Sequence, residues 1–233
     1  MQNPDTATAA LLPTSAALRE TMVERQIRTF DVTDAGVLER MRAVPRELFV
    51  DGSLASLAYS DACLTTTGKT AREMTAPLIL ARLLKEARLR AGERVLVVAG
   101  GSGYAAALIA GLVGHVVSLD DDEALSEKAR ANFAALGLAN VEAASGPLDK
   151  GRIDSAPFDL ILVDGISQGE FEPLFGQLSE TGRLVSIVAD KAGARAGKAT
   201  LFQRAGSSVS ARSLFDASAG GLPGFARPQS FVF

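Results

Sequence analysis

The chain has 233 residues, of which 47% are hydrophobic and 22% are charged, and its formal net charge is −3 at pH 7. This composition predicts a globular protein with one sizeable core, and its near-neutral balance argues against strong nonspecific binding to nucleic acid or to anionic membranes. The single cysteine, Cys63, excludes an intrachain disulfide and a cysteine-based zinc site, which favours a reducing, cytoplasmic location.

The first 13 residues are expected to form a mobile lead-in. They lack the basic and apolar segments of a secretory signal, and no apolar run in the chain reaches the ~20 residues needed to span a bilayer. Three helices are predicted next. The first follows a cap at Thr14 or Ser15, the second follows Thr33 and Asp34 and ends at Pro45, and the third spans 75–90 with Pro77 in its first turn. Residues 51–70 are predicted to be a loop.

From residue 92 onwards, short apolar runs alternate with helical segments. The runs lie at 94–98, 115–119, 140–144, 158–164 and 182–188, and the helical segments lie at 103–112, 122–136 and roughly 170–180. This alternation predicts a parallel sheet that is covered on both faces. Three further strand-like segments without helices between them, at 199–204, 207–217 and 229–233, predict antiparallel strands at one edge.

A glycine-rich turn directly follows the first of these strands and contains Gly100, Gly101 and Gly103. Asp120 ends the second strand, 19 residues after Gly101, where a carboxylate can accept hydrogen bonds from both hydroxyls of a ribose. This pattern favours a nucleotide-like cofactor. The alternative is a tight turn between strand and helix, with the acidic run 120–123 capping the next helix.

Several segments in order resemble the protein-L-isoaspartate O-methyltransferase family. They are MVERQIRTFDVTDAGVLERMRAVPRELFV (22–50), LAYSD (57–61), VLVVAGGSGYAAALIAGLVGHVVSLD (95–120), APFDLILVDG (156–165) and QLSETGRLV (177–185). The resemblance implies a Rossmann-like α/β fold, S-adenosylmethionine as cofactor, and methylation of the carboxylate exposed by isoaspartyl damage in a protein or peptide. It also implies an N-terminal helical acceptor-side region over 14–91 and a methyltransferase core over 92–233.

The resemblance assigns roles to particular residues. Thr75 stands where the family has an acceptor-side serine and is the candidate catalytic residue. The candidate cofactor-binding residues are Gly100, Gly101, Gly103, Tyr104, Asp120, Gly146 and Asp164. Tyr104 either packs over the methionine part of the cofactor or shields the helix start, and Asp164 either faces the ligand or caps the following loop.

The chain departs from the family pattern at several of these positions. Val97 replaces an acid, Ala99 replaces the first glycine, Ala76 replaces a glutamine, and Pro147 replaces an aspartate that Asp149 would substitute only weakly. Ala99 is a serious departure only if the turn requires a positive φ there. These losses leave open a scaffold protein that has lost catalysis, and a methyltransferase with a different acceptor, as alternatives to isoaspartyl methylation.

We predict no catalytic role for the other polar residues that the sequence offers. His115 is expected to be structural, and Cys63 has no histidine nearby to activate it. Lys69 and Arg72 are interpreted as surface charges, with attraction of a peptide carboxylate as the alternative. No metal site is predicted. We expect no nucleic-acid or membrane partner, and the sequence leaves the oligomeric state open.

Overall fold

A computed structural model describes residues 14–69, 71–191 and 193–225. The predicted lead-in and the predicted strand over 229–233 lie outside these ranges. The mostly parallel sheet with antiparallel edge strands, predicted from the alternating pattern, is confirmed.

Seven strands form the main sheet. Their bounds are β3 Arg94–Val98, β4 His115–Asp120, β5 Val141–Ser145, β6 Phe158–Ser167, β7 Leu178–Val188, β8 Ala196–Ala205 and β9 Ser208–Ser218. Across the sheet the strands lie in the order β5-β4-β3-β6-β7-β8-β9. The first five of these are parallel, while β8 and β9 form an antiparallel hairpin at one edge. Strand order reverses at β3, so the crevice beside its carboxyl end is where a ligand is expected in such a sheet.

The helices begin close to the predicted caps. Thr14 Oγ1 accepts a hydrogen bond from the Ala17 N–H, and Asp34 Oδ1 accepts one from the Val37 N–H at 2.9 Å. The α-helices are α1 Ser15–Thr21, α2 Ala35–Ala43, α3 Pro77–Ala87, α4 Tyr104–Ala110, α5 Glu123–Ala135 and α6 Glu172–Phe175. A π-helical segment, Met22–Ile27, continues α1, and short 3₁₀ turns lie at Arg28–Phe30, Arg46–Phe49, Gly52–Leu57, Leu148–Lys150, Ile153–Ser155 and Pro223–Phe225.

The helix predicted over roughly 170–180 is wrong in its extent. Only one turn forms, and Leu178 already belongs to β7, where it pairs with Phe158. The Phe158 N–H donates to the carbonyl of Gln177 at 2.8 Å. The backbone groups at Gln177 and Leu178 therefore bond within the sheet and do not continue the helix.

Alternating side chains of the central strands enter two hydrophobic clusters, one on each face of the sheet. Val97 and Leu162 belong to the cluster that also contains the buried side chains of α2, α3 and α4, whereas Val98 and Val163 belong to the cluster that contains Leu174 of α6. The N-terminal helices thus share one continuous core with the sheet. The division of the chain at residue 91 stays a prediction.

A small antiparallel hairpin begins in the region 51–70, which was predicted to be a loop with short turns, and ends just after it. It consists of β1 Leu64–Thr66 and β2 Arg72–Met74, and Thr66 pairs with Arg72. On the outside, Glu73 forms an ion pair of 2.6 Å with Arg195, next to the start of β8. The hairpin thereby places Arg72 over the carboxyl end of the parallel sheet. None of the helices within the described ranges meets the length and hydropathy needed to cross a membrane.

Candidate active site

The glycine turn after β3 and the last residue of β4 meet at the carboxyl edge of the sheet. Gly101 adopts a left-handed φ of +55°, and its N–H donates to Asp120 Oδ2 at 2.8 Å. The Asp122 N–H donates to Asp120 Oδ1 at 3.1 Å. Gly100 has a packing reason to be glycine, because a Cβ there would lie 2.2 Å from Ser118 Oγ of β4. The turn and the carboxylate are therefore built together, while the role of Asp120 toward a ribose stays a prediction.

Arg72 fills the remaining acceptor positions of Asp120. Its Nε donates to Oδ2 at 3.2 Å and its Nη2 donates to Oδ1 at 3.2 Å, and Nη2 also reaches Asp121 Oδ1 at 2.5 Å. The interpretation of Arg72 as a surface charge is wrong, since the residue is 3% exposed. An ionised carboxylate offers about four lone-pair positions, and the four donors here occupy them all. A ribose reaches Asp120 only if Arg72 withdraws.

The crevice beside this ion pair is small. The space in it that a water-sized molecule can occupy is about 10 Å³, far below the roughly 300–1,000 Å³ of typical ligand pockets. It is lined by Thr66, Arg72, Glu73, Met74, Ala99, Gly100, Gly101, Ser102, Tyr104 and Asp164. Arg72 is thus both the partner of Asp120 and part of the wall that limits the crevice.

Thr75 and Asp164 meet beside the crevice, and Asp164 forms part of its lining. Thr75 Oγ1 donates to Asp164 Oδ1 at 2.6 Å, and the two residues are 0% and 5% exposed. Burial raises the pKa of the Asp164 carboxyl, while the Thr75 hydrogen bond and the positive charges of Arg46 and Arg72 oppose that shift. The structure therefore joins two residues that the sequence placed 89 positions apart and assigned to different roles.

Arg46 is a second buried cation that the sequence did not single out. It is 0% exposed, its Nη2 donates to the Thr75 carbonyl at 2.9 Å, and its guanidinium lies 4.7 Å from the centre of the Tyr104 ring. Tyr104 also packs edge-on against Phe49. Both of the alternatives for Tyr104 keep their support, because the ring lines the crevice and also packs at the start of α4.

Of the predicted site residues, Gly100, Gly101, Tyr104 and Asp164 line the crevice, whereas Thr75, Gly103, Asp120 and Gly146 do not. The Gly146 N–H donates to the Asp120 carbonyl at 3.0 Å, which joins the ends of β4 and β5. Asp149 instead forms a partly exposed ion pair of 3.3 Å with Lys150. Burial raises the pKa of the Cys63 thiol, which disfavours a reactive thiolate. Within the described ranges, no group of three or more His, Cys, Asp or Glu residues is arranged to hold a metal ion.

Ala99 holds a positive φ of +61°, so the departure from glycine at this position carries strain. We expect Ala99→Gly to raise the free energy of unfolding by about 1 kcal/mol and the Tm by about 2–4 °C. Thermal unfolding measures this directly. Gly137→Ala is the matched control, since Gly137 has φ +64° with open space around its Cβ position, and it should lower the Tm by a similar amount. A fall in Tm for Ala99→Gly would contradict this account of the turn.

Comparison with known proteins gives one consistent result. Residues 17–214 match the family model described as "Protein-L-isoaspartate(D-aspartate) O-methyltransferase (PCMT)". The protein-L-isoaspartate O-methyltransferase of Methylorubrum extorquens (strain PA1) is 42% identical over 183 residues, 78% of each chain. The one from Methanoculleus marisnigri is 39% identical over 171 residues, which is 73% of this chain and 76% of the relative.

Two solved structures are similar over most of the chain. A protein-L-isoaspartate O-methyltransferase gives a TM-score of 0.78 at 26% identity, covering 89% of this chain and 67% of the other. A Plasmodium falciparum protein described as a putative member of the same family, in complex with S-adenosyl-L-homocysteine, gives a TM-score of 0.71 at 19% identity, covering 91% and 100%. At this identity the second likeness supports the fold alone.

Proposed function

The chain belongs to the protein-L-isoaspartate O-methyltransferase family, and from this premise we propose that it methylates the isoaspartyl carboxylate of damaged proteins with S-adenosylmethionine as cofactor. The reaction would serve protein repair in the cytoplasm. The observation that carries the proposal is that one crevice is lined by a member of each of two hydrogen-bonded pairs, Gly101 with Asp120 and Asp164 with Thr75. The first has the chemistry to hold a sugar, and the second has the chemistry to orient an acceptor.

The donor set fits a ribose-bearing cofactor on one condition. Asp120 and the Gly101 N–H lie where the sugar is expected, and the Tyr104 ring lies further along the same crevice. The condition is that Arg72 leaves Asp120, because all lone pairs of that carboxylate are otherwise in use. Gly100 and Gly103, which shape the turn, belong to the same proposed cofactor site, and Gly146 supports it from β5.

When held by Asp120 and the Gly101 N–H, S-adenosylmethionine would supply an activated methyl group on a positively charged sulfur, and the products would be a methyl ester and S-adenosylhomocysteine. The acceptor carboxylate is already ionised near pH 7, so the chain needs no general base. Its residues have to bring the acceptor into line and exclude water. The scarcity of histidine and cysteine is compatible with this chemistry.

We expect Thr75→Val to lower kcat for an isoaspartyl peptide about tenfold or more. The reason is the loss of the hydrogen bond by which Thr75 Oγ1 fixes Asp164 beside the acceptor, worth about 1.5 kcal/mol. The affinity for S-adenosylhomocysteine should stay within threefold of the parent protein, as measured by calorimetry. Thr75→Ser keeps a hydroxyl and is the matched control. An unchanged kcat in Thr75→Val would remove Thr75 from the site.

One specific observation favours a second function, a scaffold protein that has kept the fold and lost catalysis. The Arg72–Asp120 ion pair occupies the position proposed for the sugar, and the space left is only about 10 Å³. In that case the pair would be a permanent structural replacement for the cofactor.

The two functions are separated by one experiment in two steps. Purified protein is titrated with S-adenosylmethionine by calorimetry, and is then offered an isoaspartyl peptide and the matched normal aspartyl peptide. Methyl ester on the isoaspartyl peptide alone supports the proposed function. Binding without ester on either peptide indicates a different acceptor, and no binding at millimolar cofactor indicates the scaffold.

A further inference from the structure

The sheet carries a buried carboxylate one strand away from the position where the sequence lacks one. Val97 of β3, which stands in place of an acid, pairs with Leu162 of β6, and both side chains enter the cluster on the face of the N-terminal helices. Asp164 follows two residues after Leu162. Because side chains alternate along a strand, Asp164 lies on the same face of the sheet as Leu162 and closer to its carboxyl edge. There Thr75 Oγ1 donates a hydrogen bond to it.

Asp164 is surrounded by polar groups from several elements. Thr75 precedes α3 and donates to Oδ1, Arg46 comes from a 3₁₀ turn, and Arg72 comes from β2. Tyr104 of α4 lines the same crevice. Despite the two cations, burial is the largest influence on Asp164 and raises the pKa of its carboxyl. The geometry therefore places a desolvated acid, Asp164, next to a fixed hydroxyl donor, Thr75, on the side proposed for the acceptor.

A carboxylate acceptor imposes a condition on such a neighbour. Two ionised carboxylates at hydrogen-bond distance repel each other, and one of them takes up a proton. A neutral Asp164 satisfies this condition: Oδ1 accepts from Thr75, and the protonated second oxygen donates to the acceptor. An ionised Asp164 would instead oppose the binding of any anionic acceptor.

We propose that Asp164 is a positioning residue for the methyl acceptor, a neutral acid that is held by Thr75 and donates a hydrogen bond to the incoming carboxylate. This refines the sequence-based assignment of Asp164 to the cofactor, and it rests on the proposed function.

The test compares the parent protein with Asp164→Asn, which keeps the shape and a donor but has no titratable group. Asp154→Asn, at an exposed position, is the matched control. We measure kcat/KM for an isoaspartyl peptide across pH, and the affinity for S-adenosylhomocysteine by calorimetry. The parent rate should fall as pH rises through the raised pKa of Asp164. Asp164→Asn should lose this alkaline fall while cofactor affinity changes less than threefold, and Asp154→Asn should retain it.

Two results would overturn the inference. One is an alkaline fall that persists unchanged in Asp164→Asn. The other is a cofactor affinity at least tenfold weaker in that variant with the rate retained at saturating cofactor, because Asp164 would then act as an anionic partner of the cofactor's positive groups.

Thermal unfolding without cofactor tests the protonation state separately from activity. A carboxyl whose pKa is higher in the folded than in the unfolded protein contributes stability at low pH, and that contribution is lost as pH rises through the folded pKa. The Tm of the parent relative to Asp164→Asn should therefore decline from about pH 4 upwards. A constant difference above about pH 5 would overturn the inference even if methylation is observed. If the peptide is not methylated but the decline is present, the proposed function fails while the neutral state of Asp164 stands.

Discussion

Arg72→Gln is expected to bind S-adenosylhomocysteine at least tenfold more tightly than the parent protein. In the parent, a sugar has to displace two hydrogen bonds from the guanidinium to Asp120 before it forms its own. Hydrogen bonds to charged groups contribute about 1.5–3 kcal/mol each, and each 1.4 kcal/mol changes affinity tenfold. Glutamine is shorter and neutral, so it removes this competition while the Gly101 and Asp122 N–H groups continue to hold Asp120.

The same substitution should lower the stability of the cofactor-free protein. Removing one partner of a buried ion pair costs about 3–5 kcal/mol, although Asp120 keeps two backbone donors, which places the expected loss toward the lower end. Tighter binding together with a lower Tm is therefore the combined signature of an internal competitor. If the substitution only loosened the fold, the affinity for S-adenosylhomocysteine and the Tm would both fall.

Arg195→Gln is the matched control for the hairpin. Arg195 pairs with Glu73 on β2, next to Arg72, but its side chain is 69% exposed. An exposed pair contributes about 0–1 kcal/mol, so this variant should leave both affinity and Tm nearly unchanged. If Arg72→Gln binds no better than Arg195→Gln, Arg72 does not compete with the cofactor. If neither Arg72→Gln nor Arg195→Gln binds S-adenosylhomocysteine, the result instead supports the scaffold function.

Local pattern was sufficient to predict most of the sheet. Apolar β-branched runs such as 94–98 and 115–119 have one stable environment, a strand buried on both faces, and the structure has β3 and β4 there. Caps at Thr14 and Asp34 were readable because they act within three residues. The extent of α6 was not readable, because the pairing of Phe158 with Leu178 is a contact between segments 20 residues apart.

The site was predictable only where its geometry is local. The glycine turn and Asp120 follow from strand ends and spacing, so their places in the fold were readable, while their role toward a cofactor stays a prediction. Arg72 was misinterpreted because its partner is 48 positions away and the three-residue strand that carries it has no periodic signal. The pairing of Thr75 with Asp164 spans 89 positions and depends on the order of strands in the sheet. Such contacts require the tertiary structure.

Asp120→Asn should weaken S-adenosylhomocysteine binding at least a hundredfold, below detection in a standard titration. It removes the charged acceptor for two sugar hydroxyls, a loss of about 3–6 kcal/mol. It also leaves the buried guanidinium of Arg72 facing an amide in place of its main anionic partner, at a cost of about 3–5 kcal/mol in stability and a Tm fall of roughly 6–20 °C. Loss of binding in this variant alone would therefore be ambiguous, since an unstable protein also binds poorly.

The double variant Arg72→Gln with Asp120→Asn resolves this ambiguity. It replaces both charges of the buried pair with neutral amides, so no uncompensated ion remains and most of the lost Tm should return. Binding should not return, because the carboxylate that accepts the sugar hydroxyls is still missing. A stable double variant that fails to bind, beside an Arg72→Gln variant that binds more tightly than the parent, assigns Asp120 to the cofactor and Arg72 to its displacement. Recovery of binding together with stability would show that Asp120 serves only to hold Arg72 in place.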